Sequence, residues 1–134
     1  QYDGVYTYGG SVERFLADGS ADASTLGGTI VAGKTINLLT SGPTTNLFDP
    51  GLYWADAATG VGGIAGLQIS TDPATNKVTV SASGNASLKN LDGLENSYDP
   101  ATKTFTLNFG WYTGAVGTSS SRKMHLSLGY TGSR

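Results

Sequence analysis

The sequence predicts an all-β domain, an antiparallel meander of about eight or nine short strands closed into a small barrel, with a two-layer β-sandwich as the alternative. Three observations carry this expectation. Phe105, Leu107, Phe109 and Trp111 alternate with Thr106, Asn108, Gly110 and Tyr112, and Met124, Leu126, Leu128 and Tyr130 form a second alternating series. Such period-two patterning marks strands with one buried face. A single turn sequence is used twice: Ser70-Thr71-Asp72-Pro73-Ala74-Thr75 is echoed 27 residues later by Ser97-Tyr98-Asp99-Pro100-Ala101-Thr102. No segment has convincing helical spacing, and successive strands are joined by short turns rather than long crossovers, which favours the barrel.

Taken in order, Tyr2, Tyr6 and Tyr8 fall on one side of an extended opening segment, and residues 11–16 either continue it or pair back as a second short strand. Residues 18–28 are small and polar and read as a loop. Residues 35–40 make a short strand closed by Ser41-Gly42-Pro43. Pro50-Gly51 suits a type II turn with Gly51 at positive φ, and Leu52-Tyr53-Trp54 reads as a short strand behind it. After a glycine-rich connection over residues 56–66, strands at 67–70 and 78–81 flank the first Asp-Pro-Ala-Thr turn. In both turns the Asp carboxylate is suited to accept backbone N–H groups at the entrance, and Pro presets φ at the next position. Because the similarity is confined to turn and following strand, it is read as one hairpin turn used twice, not as a repeat array.

A chain of 134 residues fits one β domain, residues 1–134, read as a fragment or mature domain of a longer protein. A chain of this size buries about two-thirds of its unfolded surface. Eight Lys and Arg against ten Asp and Glu give a net charge of −2, with no basic footprint for nucleic acid and no polybasic patch for lipid headgroups. No apolar run approaches the length of a membrane span. Without cysteine, thiolate zinc sites, thiol nucleophiles and disulfides are excluded.

No motif for catalysis or for a cofactor emerges. Gly60-Val61-Gly62-Gly63-Ile64-Ala65-Gly66 resembles a phosphate loop only superficially, because a strand rather than a helix N-terminus follows it. His125, the single histidine, lies out of phase with Met124 and Leu126 and is expected to face solvent. Asp18-Gly19-Ser20-Ala21-Asp22 spaces oxygen ligands as calcium loops do but lacks the closing bidentate Glu, so no metal is assigned. Carboxylate pairs for glycoside hydrolysis would be drawn from Glu13, Asp92, Glu95 and Asp99, of which Asp99 already has a turn role. The expectation is a non-enzyme without cofactor.

The aromatics remain. Trp111 is in phase with Phe105, Leu107 and Phe109 and is assigned to the core, whereas Tyr112 is out of phase and Trp54 adjoins the glycine-rich loop. Tyr53, Trp54 and Tyr112 are therefore the candidate ligand-binding residues, since flat rings stack on sugar C–H faces and amphipathic aromatics suit half-open sites.

The run Ser97-Tyr98-Asp99-Pro100-Ala101-Thr102-Lys103-Thr104-Phe105-Thr106-Leu107-Asn108-Phe109, with Arg122 and the closing strand to Tyr130, resembles the C-terminal domain of a family of Bacteroidota surface lipoproteins. In that family the domain follows an immunoglobulin-like N-terminal domain of unknown function. The opening Tyr2-Asp3-Gly4-Val5-Tyr6-Thr7-Tyr8-Gly9-Gly10 and the approach to Gly66-Leu67-Gln68-Ile69 are similar in style. The resemblance implies a lipocalin-like barrel or related sandwich on the cell surface or outer membrane, associated with glycan-uptake systems. It carries no catalytic residues. A lipobox cysteine and the N-terminal partner domain do not occur here, so membrane association would come through a lipid anchor outside this sequence.

The functional expectation is a non-catalytic accessory module that binds carbohydrate for polysaccharide capture. Neighbouring domains or outer-membrane uptake proteins are its expected partners, and nucleic acid is not. The alternatives are a structural or adhesive protein-interaction domain and, if the barrel is hollow, a carrier of a small apolar ligand.

Overall fold

Alternation is clearest in the last two strands of the computed structural model, which describes residues 2–132, with the backbone alone at Ala32. The strands are β1 (Gly4–Phe15), β2 (Gly28–Thr40), β3 (Thr45–Asp49), β4 (Leu67–Thr71), β5 (Val78–Ala82), β6 (Lys89–Asn90), β7 (Ser97–Asp99), β8 (Thr104–Tyr112) and β9 (Ser121–Gly132). No helix occurs among the described residues. All pairings are antiparallel, in the order β5-β4-β3-β2-β1-β9-β8-β6, with β7 also on β8. The expected barrel is therefore present, nearly closed and with one unsealed seam, between β5 and the interrupted stave formed by β6 and β7.

Both Asp-Pro-Ala-Thr turns work as their chemistry predicts. The Asp72 carboxylate accepts the Ala74 N–H at 2.9 Å, and the Asp99 carboxylate accepts the Ala101 N–H at 2.9 Å. Each hairpin then passes through a left-handed residue four positions after the Asp, Asn76 with φ 61° and Lys103 with φ 52°. Between them the turns fix the register of β4 on β5 and of β7 on β8.

Inward side chains fill the barrel. Tyr6, Tyr8, Ile36, Leu38, Ile69, Val80, Phe105, Leu107, Phe109, Met124 and Leu128 are almost wholly buried and belong to one continuous cluster. Each such burial contributes about 1.5–3 kcal/mol, so β8 and β9, which supply five of these residues, carry a large share of the core. Tyr6 and Tyr8 keep their hydroxyls satisfied inside: Tyr6 donates to the Tyr2 carbonyl at 2.8 Å, and Tyr8 accepts the Tyr53 N–H at 3.1 Å. Burial pushes both phenols above their ordinary range, assisted at Tyr6 by Tyr98, Tyr130 and Asp3.

Several local expectations need correction. Of the two readings of residues 11–16 the continuation holds, with β1 running to Phe15, but β2 starts at Gly28, well before the expected residue 35. The glycines at 28 and 33 hide this extension from the alternation pattern, but pairing along β1 supplies it, with a register shift between Tyr8 and Gly10. Leu52-Tyr53-Trp54 is not a strand, since only an isolated bridge joins Tyr53 to Gly60. Gly51 takes the expected positive φ, but at 140° rather than the type II value of about 80°, so the Pro50-Gly51 turn is not type II.

Gly10 is required by close approach. A Cβ there would lie 1.8 Å from the His125 carbonyl oxygen, and its φ of 137° disfavours any L side chain.

Candidate functional site

Successive strand residues face opposite sides of a sheet, so the register of β6, β8, β9 and β1 defines rows of side chains on the outer wall. Lys89 pairs with Gly110, Gly110 with Lys123, and Lys123 with Glu13. Beside this row, about 7 Å along the strands, Tyr112 pairs with Ser121 and Ser121 with Phe15. On its other side Asn108 pairs with His125 and His125 with Ser11.

A small groove of about 140 Å³ lies on this wall beside Gly110, bordered by Ser87, Lys89, Leu91, Tyr112, Ser121 and Lys123, together with Trp111 and Arg122. A Cβ on Gly110 would sit 2.8 Å from the Arg122 carbonyl oxygen and 3.2 Å from the Leu91 side chain. Gly110 is itself buried, with the Leu91 side chain and the Lys123 stem packed against it, and the groove walls are side chains from three strands and from the loops on either side of β6. Tyr112 is half-buried at one end of the groove. Its main chain is held from the loop: its N–H is 2.9 Å from the Ser87 hydroxyl, and its carbonyl accepts the Asn85 side-chain amide at 3.0 Å.

One row away, His125 is gripped at both ring nitrogens. Asn108 donates its Nδ2 to the Glu95 carbonyl at 2.6 Å, which turns Oδ1 toward His125 Nδ1 at 2.7 Å; His125 Nε2 lies 2.8 Å from Glu13 Oε1. The arrangement has the outline of an acid–base relay. With both nitrogens already engaged, however, the ring has none left to activate a nucleophile. Its evident effect is to tie β1, β9 and β8 together on the outer face.

The carboxylates considered for hydrolysis are dispersed. Glu13 is on the outer wall and Asp99 is in its turn. Asp92 and Glu95 border a second, wider cleft of about 570 Å³ over the seam, with Lys77, Asn90, Leu94 and Ser97. Both are exposed on the loop between β6 and β7, and Glu95 is engaged by the Ser97 hydroxyl. They lack the burial by which a carboxyl is tuned as a general acid. Asp18 and Asp22 spend their oxygens locally: Asp18 Oδ1 accepts from the Ser20 N–H and hydroxyl at 2.9 and 2.6 Å, and Asp22 accepts the Ser24 N–H and faces Arg14 Nε at 3.7 Å. The glycine-rich loop at residues 60–66 leads straight into β4, with Ile64 buried beneath it.

No protein-family model matches this chain, and no curated protein or solved structure does. The site is therefore read from its own geometry. The three aromatics expected to bind ligand are not gathered into one exposed platform. Trp54 is only 6 % exposed: it stacks on Trp111 with ring centres 6.0 Å apart, and the Arg14 guanidinium covers it at 4.6 Å. Its expected exposure is corrected, because a partner 57 positions away in the chain supplies a stacking surface that local phase cannot reveal. Tyr53 is half-buried, and the Lys34 ammonium sits 4.3 Å from its ring centre, occupying one face. Tyr112 alone of the three borders the outer groove.

Lys89, Gly110 and Lys123 escaped the sequence reading. The signal was present in the alternation: Gly110 shares the outward phase of Tyr112, and Lys123 that of His125. Aligning β8 and β9 across their turn would have placed glycine and lysine side by side.

Proposed function

We propose that this protein is a non-catalytic carbohydrate-binding module that serves polysaccharide capture at a cell surface or outer membrane. The reading rests on one observation: a half-buried tyrosine, fixed through its main chain, borders an outer groove with a largely apolar lining, edged by the Ser87 and Ser121 hydroxyls and by Lys89 and Lys123. A ring in that position stacks on one sugar face while the polar neighbours orient hydroxyls, which suits a single residue of a chain continuing along the wall. The filled interior argues for an outer ligand and against the apolar-carrier alternative. The surface location, the partnership with uptake proteins and the kinship with Bacteroidota lipoprotein domains belong to this proposal and draw on the sequence resemblance.

Isothermal titration against a panel of polysaccharides tests it. Binding to at least one polymer, abolished in Tyr112→Ala and kept in Tyr53→Ala, is expected, with both variants melting within a few degrees of the parent. No binding to any glycan overturns the reading.

The protein-interaction alternative is favoured by the seam cleft, where Leu94 is 50 % exposed. Sedimentation that changes with concentration and is reversed by Leu94→Ser would support it.

A further inference from the structure

We propose that the sugar taken by the outer groove is anionic, a uronate or sulfated residue held between Lys89 and Lys123; this rests on the carbohydrate reading above. The two lysines occupy positions on either side of Gly110 in one cross-strand row. Among the described residues no carboxylate pairs with either lysine and none borders the groove. The nearest in register, Glu13, is drawn to His125 Nε2 at 2.8 Å. The Lys123 ammonium rests instead over the Phe15 ring, 5.3 Å from its centre. The chain as a whole carries a net charge of −2, so a carboxylate-free groove between two uncompensated cations stands out against its own surface.

Neutral sugars need donors and acceptors in balance, since each hydroxyl is both. Two ammonium groups offer only donors and formal charge, which fit carboxylate or sulfate oxygens through charge-assisted hydrogen bonds. Ser121 supplies a hydroxyl, and Tyr112 the stacking face, between or beside them. Lysine treats an anion as a point charge and does not require bidentate geometry, so the site is matched to charge class rather than to one sugar.

The test uses matched polymers: polygalacturonate and its carboxyl-reduced form, and dextran sulfate and dextran. Affinity electrophoresis and titration calorimetry are run on the parent, Lys89→Gln, Lys123→Gln, the double variant and Lys77→Gln at the seam as control. The parent is expected to retard on a charged polymer and not on its neutral counterpart. Each single variant should lose about tenfold in affinity, and the double variant should lose binding. Lys77→Gln should bind as the parent does. Affinity should fall steeply between about 0.05 and 0.5 M salt. Preference for the polygalacturonate pair identifies a carboxylate site and preference for the dextran pair a sulfate site. Equal binding to charged and neutral polymers, lost in Tyr112→Ala, overturns the anionic assignment and leaves the carbohydrate reading standing. Charged-polymer binding that survives in the double variant also overturns the assignment. Absence of binding to all four polymers overturns the assignment and, if the wider panel is also blank, the carbohydrate reading with it.

Discussion

The barrel is closed in two different ways. Where the first and last strands meet, β1 and β9 pair main chain to main chain from Tyr6 opposite Tyr130 to Phe15 opposite Ser121. At the seam, β5 meets no full strand. Its gap is bridged at the isolated Lys77–Ser97 pair, where the Val78 N–H donates to the Asn96 carbonyl at 3.0 Å and the Tyr98 N–H to the Asn76 carbonyl at 2.8 Å, and by one side chain. Asn90 accepts the Val80 N–H at 2.8 Å and donates to the Val78 carbonyl at 2.9 Å, as a peptide group of a neighbouring strand would. Asn96 repeats the device toward β8, accepting the Asn108 N–H at 2.7 Å and donating to its carbonyl at 3.0 Å. A primary amide offers the same donor and acceptor as the backbone, so two asparagines stand in for missing ladder. The difference teaches that closure by side chains meets the hydrogen-bonding demand of an edge while leaving room for a cleft, which the tight β1–β9 junction does not.

The largest effect should come from breaking the junction. Gly10→Ala would push a methyl group to 1.8 Å from the His125 carbonyl oxygen, and we expect a loss of about 4 kcal/mol or failure to fold, read from urea unfolding. A loss below about 1 kcal/mol would show that the strands separate there at little cost.

Breaking the seam should be milder and local. Asn90→Ala strands the Val80 N–H and the Val78 carbonyl, at a cost of about 1–3 kcal/mol, whereas Asn90→Asp keeps the acceptor and should cost less. Hydrogen exchange should quicken at Val78 and Val80 while β1 and β9 stay protected; uniform acceleration would contradict independent closure.

Alkaline titration sharpens the contrast from the junction side, where Tyr6 lies opposite Tyr130. Burial raises the Tyr6 phenol above its ordinary value, so the unfolded chain ionises first. The native state binds more protons above about pH 10, and stability, complete below that pH, falls as pH rises further. Urea midpoints between about pH 8 and 11 should show this slope in the parent and a flatter one in Tyr6→Phe.

The smallest effect should come from the external tie. His125→Gln removes the link to Glu13 from a partly exposed pair, and the expected change is within about 1 kcal/mol by thermal melting. A larger change would mean that the outer face shares the work of the β1–β9 ladder.

What the sequence revealed follows from the range of each interaction. The faces of β8 and β9 and the two Asp-Pro-Ala-Thr turns were legible because period two and turn chemistry operate within a few residues. Tyr112 was rightly placed out of phase with the core for the same reason. The first half of β2 was missed because its glycines break alternation and only pairing with β1 specifies it. Trp54 was misjudged because Trp111 and Arg14, which cover it, are remote in sequence. The roles of Asn90 and Asn96 could not be read at all, since an asparagine in a polar stretch looks like loop until a strand edge is set beside it. The groove was half legible: one ring could be named, but its lysine flanks need the register of three strands.

The pairing of β1 with β9 also sets an order of events in time. Val5 finds its partner at Gly132, so the longest ladder cannot begin until nearly the whole chain is available. The two turn-directed hairpins, by contrast, need only neighbouring residues. Hairpins of that kind form in about 1–10 μs, while non-local pairing carries the loop-closure entropy that slows β-rich domains to milliseconds or longer. Until β9 is available β1 can pair with β2 alone, so its other edge stays open and is the segment most in need of shielding before closure.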